Sequence, residues 1–187
     1  MSAKPIMQKM FETENRTGPM IVRVLLGLVI FPHGAQKLLG WFGGFGLEGT
    51  LGFFTQTMGI PMVIALLVIA GEFFGALGLI TGFLTRFSAF GIFVTMMGAM
   101  FMAHWDNGFF MNWSGKQAGE GFEFHLLAMG MAAALMVSGG GKYSVDDWIA
   151  KTFFHHKKFH KQEAADNGAI AHPEPYSSHR TLQESAR

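Results

Sequence analysis

Apolar residues along the chain gather into four stretches separated by polar or glycine-rich segments. Residues 60–84 form the cleanest of them, interrupted by one charge, Glu72. Residues 87–103 carry no charge at all, and residues 124–137 extend outward through Phe122 and Glu123 and inward through Ser138 and Gly139. Residues 20–39 are the most polar, with Arg23, Pro32, His33, Gln36 and Lys37, yet their centre at 24–31 is strongly apolar. Each stretch approaches the ~20 residues that cross a hydrocarbon core of about 30 Å. The pattern predicts an all-α, integral membrane four-helix bundle with spans at about 20–39, 60–83, 86–105 and 121–139. Together they make one domain over 18–148, between an N-terminal segment, 1–17, and a polar C-terminal tail, 149–187.

The connections are unequal. Residues 83–87 read as a tight turn, whereas 40–59 and 106–121 are long loops. In the first long loop Gly43, Gly44 and Gly46 precede Leu51, Phe54 and Met58 at helical spacing, which predicts a short helix at the interface or over the bundle mouth. Trp41, Trp105 and Trp113 fall in or beside these loops as interface anchors. After Gly139-Gly140-Gly141, Ser144 followed by Asp147 marks a helix start. A basic amphipathic helix to about Lys161 follows, with disorder expected from Gln162. Residues 1–16 contain no continuous apolar run, so no cleaved signal peptide is expected and the first span serves as the insertion signal.

Charge sorts with this topology. If the N-terminus, the 84–87 turn and everything after Gly139 face the cytoplasm, only Lys37 and Lys116 of the 14 Lys and Arg lie on the other side. That positive-inside bias puts both termini in the cytoplasm. Composition agrees: half the chain is apolar and 14% is charged, against roughly 25% in ordinary soluble domains. No basic groove for nucleic acid exists in the body. The chain has no cysteine, which excludes thiolate metal sites, Cys-ligated clusters and a cysteine nucleophile within it.

Ionisable groups inside a membrane are expensive and mark candidate sites. Glu72 lies 12 residues into its span, about 18 Å deep, where it must be paired, protonated or facing water. Arg23 and His33 bracket that depth on the first helix, and either is a candidate partner. Two readings stay open, a proton acceptor or a structural ion pair fixing helix register. His33 and Lys37 share a helix face, and with His104, Asp106, Glu123 and His125 they converge at the outer mouth. That mouth suits a quinone head group with a His and a carboxylate for its two protons. The bland alternative is polar groups gathering at an interface. No dedicated ligand spacing is present, so no metal site is assigned. Gly71, Gly75, Gly78 and Gly82 form a close-packing face, within the molecule rather than between copies. The His155, His156 and His160 group reads as a solvated face.

Arg23-x-x-x-Gly27, Phe31-x-His33-Gly34-x-x-Lys37-x-x-Gly40, Glu72-x-x-Gly75-x-x-x-Leu79-x-x-Gly82, Thr85-Arg86, His104, Gly121-x-Glu123 and Gly139-x-Gly141-x-x-Ser144-x-Asp146 together resemble DoxX-type membrane proteins over about residues 18–148. The resemblance implies a multi-pass four-helix protein of the bacterial inner membrane. The family takes its name from subunits linked to thiosulfate:quinone oxidoreduction and terminal quinol oxidases. The expected function is therefore a quinone-linked oxidoreductase or redox-complex subunit in the lipid bilayer, supplied by a soluble or membrane redox partner. Glu72 and His33 would carry protons, and Arg23, Lys37, His104, Glu123 and His125 would line the quinone site. The alternative is a non-enzymatic accessory or scaffold subunit of a redox or stress-response complex, in which the same residues hold the bundle together. A small transporter is a third class, without an internal repeat to support it.

Overall fold

The computed structural model describes residues 16–155. Residues 1–15 and 156–187, with the end of the expected basic helix, His156, His160 and the tail expected to be disordered, lie outside the described residues. Four long helices make the body: α1 (Thr17–Leu39), α3 (Met62–Thr81), α4 (Thr85–Ala99) and α5 (Glu123–Ser138). A short helix, α2 (Gly46–Gly52), and a final one, α6 (Val145–Ile149), complete the set. The described residues contain no strand. α1 packs on α3 and on α5, and α4 packs on the same two, so the four helices close into a ring.

Helix ends follow local chemistry. α1 stops at Gly40 and α3 at Gly82, both with positive φ, where the cap amide bonds back to Ala35 O and Gly78 O. A residue without Cβ takes that conformation at least cost. Ser144 caps α6, its hydroxyl accepting from the Asp147 amide at 3.1 Å, as the sequence implied. Two helices loosen into π turns at the same end of the bundle: Phe53–Thr57 continues α2, and Met100–His104 continues α4. Such turns are uncommon in ordinary helices and cluster at functional sites.

The interior holds Leu26 and Ile30 from α1, Leu79 from α3, Ile92 and Met96 from α4, and Leu135 from α5. The outside is apolar too. Leu25, Val63, Leu67, Phe87, Leu127 and Val137 are 52–80% exposed, and a belt of that kind is stable only in an apolar surround. α1, α3 and the α4 segment Thr85–Asn107 are each long and apolar enough to cross a membrane, and α5 is a shorter apolar helix. The fold is a membrane-type helical bundle.

Glycines set the approach of neighbouring helices. A Cβ at Gly34 would lie 2.6 Å from the Phe73 backbone, and one at Gly27 would lie 2.9 Å from Ala76 O, so α1 rests directly on α3. Gly71, Gly75 and Gly78 turn the opposite flank of α3 to Thr95, Ile92 and Ser88 of α4. The glycine face read in α3 thus serves packing within the molecule.

The ends of the bundle are built differently. At the end where Arg16 meets Lys142, Arg23 is 2% exposed and each of its guanidinium donors is used. Nε donates to Gly140 O (2.8 Å), Nη1 to Leu79 O (3.0 Å) and Ile80 O (2.6 Å), and Nη2 to Lys142 O (3.3 Å) and Tyr143 O (2.9 Å). Beside it, Asp146 accepts from the Leu84 and Thr85 amides at 2.7 and 2.8 Å, capping α4 from 61–62 residues away in sequence. Burial pushes the Asp146 carboxyl above its ordinary range, while the Thr85 and Leu84 amides and the charge of Arg23 pull it down. We call this the latch end and the opposite one, with the long connections, the loop end.

Candidate functional site

The polar residues of the loop end fall into two groups, one between α1 and α3 and one toward α5. The first is centred on a partly buried ion pair. Lys37 Nζ donates to Glu72 Oε2 at 2.5 Å, with the lysine side chain 26% exposed and the glutamate 5%. Gly34 makes the pair possible, because its missing side chain lets α1 lie against α3 at Glu72 and Phe73. α1 also ends early: Gly34 is level with Glu72, so Leu39 stops short of the start of α3. The gap above it is filled by the Trp41–Gly43 turn, α2 and the π turn Phe53–Thr57.

Between these pieces lies a cleft of about 260 Å³ lined by Gln36, Lys37, Gly43, Gly44, Phe45, Thr50, Phe53 and Phe54. Its walls are largely aromatic, with Phe53 and Phe54 rings 6.1 Å apart. Its polar groups are the Lys37 ammonium, the Gln36 amide and the Thr50 hydroxyl. Gln36 Nε2 donates to Phe42 O at 3.3 Å, a long bond that a better acceptor can displace. Phe42 itself is held at φ 52, a left-handed conformation that costs a non-glycine residue ~1–2 kcal/mol. Gly44 admits no Cβ because the Gln36 backbone sits against it, which pins the loop to α1.

The second group lies toward α5. His33 is exposed and its ring lies 6.3 Å from Phe124 of α5. His125 is buried, with Nδ1 lacking a hydrogen-bond partner, and its ring is 4.2 Å from that of His104. His104 Nδ1 donates to Glu120 O at 2.8 Å. Glu123 is turned to loop construction: its Oε1 accepts from the Met111 amide (3.0 Å) and Trp113 Nε1 (3.2 Å). Among the described residues no group of three or more His, Asp and Glu is arranged to hold a metal ion.

The structure therefore brings His33, Lys37, Glu72, His104, Glu123 and His125 to one end and leaves Arg23 out. Arg23 sits at the latch end, level with Leu79 and Ile80, ten residues before His33 and so about 15 Å further along α1. With every donor spent on carbonyls, it neither reaches Glu72 nor lines the loop end. The partner of Glu72 is Lys37 rather than Arg23 or His33. Sequence reasoning placed Lys37 at the mouth and overlooked the cleft residues Phe45, Thr50, Phe53 and Phe54. The available signal was the short apolar repeat after the glycine-rich loop, which the sequence placed at the interface or over the bundle mouth without making it part of a site.

Residues 18–105 match the DoxX family, as the resemblance drawn from sequence implied. The matched region contains α1 to α4, the ion pair and the cleft, and ends before the latch residues 140–146. A Bacillus subtilis (strain 168) protein named "Putative oxidoreductase CatD" is 32% identical over 94 residues, which is 50% of this chain and 62% of that protein. The aligned region thus spans less than two thirds of the curated relative. No solved structure matches the chain.

Proposed function

With residues 18–105 forming a DoxX domain in a multi-pass membrane bundle, we propose that the chain is a membrane subunit of a quinone-linked oxidoreductase, with a quinone or quinol head group docking at the loop end. The observation that carries this reading is the partly buried Lys37–Glu72 pair at the margin of an aromatic-walled cleft. Flat rings suit the three phenylalanines, and ring carbonyls suit the donors of Lys37 and Gln36. Lys37 meets the ring; Glu72 behind it and His33, one turn away on α1, are the groups that pass on the two protons of quinone reduction, and electrons arrive from a soluble or membrane redox partner. The name of the Bacillus relative is consistent with redox work. The reading sets the protein in a bacterial inner membrane with the latch end cytoplasmic, because 12 of the 14 Lys and Arg fall on that side of the connections.

The test is binding of a short-chain quinone analogue to the detergent-purified full chain. Gln36→Ala and Phe54→Ala, which remove a donor and a ring from the cleft wall, are expected to weaken it about tenfold, or ~1.4 kcal/mol each. Unchanged affinity in both variants refutes the reading.

A second reading has its own observation. Arg23 is wholly spent on cross-linking three parts of the chain, and Glu72 is paired internally. An accessory subunit that scaffolds a redox complex needs no more than this. Under it, Glu72→Gln lowers bundle stability and moves no ligand affinity.

A further inference from the structure

The ion pair and the cleft meet in a particular order. Lys37 lines the cleft, whereas Glu72 stands behind it on α3 and His33, one turn earlier on α1 and against Phe124, does not line it. A docked ring would touch the ammonium and never the carboxylate. Resting on the quinone reading above, we infer that Lys37 is the residue that contacts the ligand, and that Glu72 is a positioning residue whose charge makes the cleft select neutral carbonyl rings over anions.

The physics is a matter of net charge. An ammonium alone in a phenylalanine-walled cleft would draw in any anion, since nothing else there offsets its charge. With the Glu72 carboxylate 2.5 Å behind it, the pair is neutral overall and presents only the positive end of a compact dipole. That end favours the lone pair of a ring carbonyl. It offers an anion little, while the anion must still shed its water among Phe45, Phe53 and Phe54. Gln36 supplies a second donor to the same space once its 3.3 Å bond to Phe42 O gives way. Neither Gln36 nor the rings carry charge, so the preference hangs on Glu72.

The experiment compares two ligands of one ring system by calorimetry on the full chain in detergent at neutral pH. The probes are 2-methyl-1,4-naphthoquinone, which is neutral, and 2-hydroxy-1,4-naphthoquinone, which is ionised. The wild type is expected to bind the methyl compound at least tenfold more tightly. Lys37→Met should weaken the methyl compound at least tenfold, and Lys37→Arg should keep the wild-type order. Glu72→Gln, leaving the ammonium uncompensated, should reverse the order. Should that variant not fold, Gln36→Lys is the second arm, since it adds a cation to the cleft with the pair intact and should also favour the anion. A wild type that prefers the anion, or a folded variant of either kind that keeps the wild-type order, overturns the inference while the quinone reading stands. Failure of both compounds to bind the wild type removes both.

Discussion

Adding one methyl group at Gly34 separates the two halves of the candidate site, and the structure says by how much. The new Cβ would lie 2.6 Å from Phe73 Cα and N and 2.9 Å from the Glu72 carbonyl carbon, about 0.8 Å inside the 3.4 Å of ordinary contact. These are backbone atoms of a packed helix, so no side chain can swing aside. α1 must move off α3 by most of that distance. Overpacking of this kind costs ~1–3 kcal/mol, and the ~1 kcal/mol by which Ala favours a helix over Gly offsets only part of it. Gly34→Ala is therefore expected to lose about 1–2 kcal/mol of unfolding free energy in a reversible SDS titration of the full chain. Because Lys37 is one turn further on, its bond to Glu72 stretches as well, and ligand affinity should fall with stability. Gly91→Ala is the control: its added Cβ meets nothing within 4 Å on α4, so its stability should hold or rise slightly. Gly34→Ala as stable as Gly91→Ala would show that the α1–α3 approach is not limited by this glycine.

Two further outcomes concern the latch end. Arg23→Lys keeps the charge but offers three donors on one nitrogen to carbonyls that lie on α3 and on residues 140–143. It should cost ~2–4 kcal/mol in the same titration, and a loss below 0.5 kcal/mol would mean that the five bonds do not hold the end closed. Asp146→Asn turns one of two amide acceptors into a donor facing an N–H. It should cost ~1–3 kcal/mol and speed amide hydrogen exchange at Leu84 and Thr85, and unaltered exchange there would rule out the cap.

The fold was legible because lipid-facing and core-facing residues are both apolar, so three spans announce themselves by length and the shorter α5 by its unbroken apolar run. Even the polar first helix was readable, since the apolar run at 24–31 lies between its two functional ends. The site was legible only in part. The sequence shows that Glu72 is deep and needs a partner, but the choice among Arg23, His33 and Lys37 depends on the vertical offset of α1 against α3. That offset is fixed by two glycine contacts, Gly27 at Ala76 and Gly34 at Phe73, and by the early stop at Gly40, none of which hydropathy reports. Arg23, counted by its charge with the latch end, was still drawn into the quinone site because its donors go to backbone carbonyls, which every sequence possesses and no motif displays. The cleft was missed for a similar reason: it exists only where the 41–57 segment folds back on Gln36 and Lys37.

The latch also bears on the order in which the bundle can be completed during synthesis. The first two amides at the start of α4, at Leu84 and Thr85, find their acceptor only in Asp146, and three of the five carbonyls that hold Arg23 belong to Gly140, Lys142 and Tyr143. Until the ribosome has released residue 146, the α3–α4 hairpin is uncapped and the arginine of the first span still has donors to satisfy. α1 and residues 140–146 therefore lock together only after all four helices have been made, which makes the bundle's assembly in the bilayer a closing ring instead of a growing row.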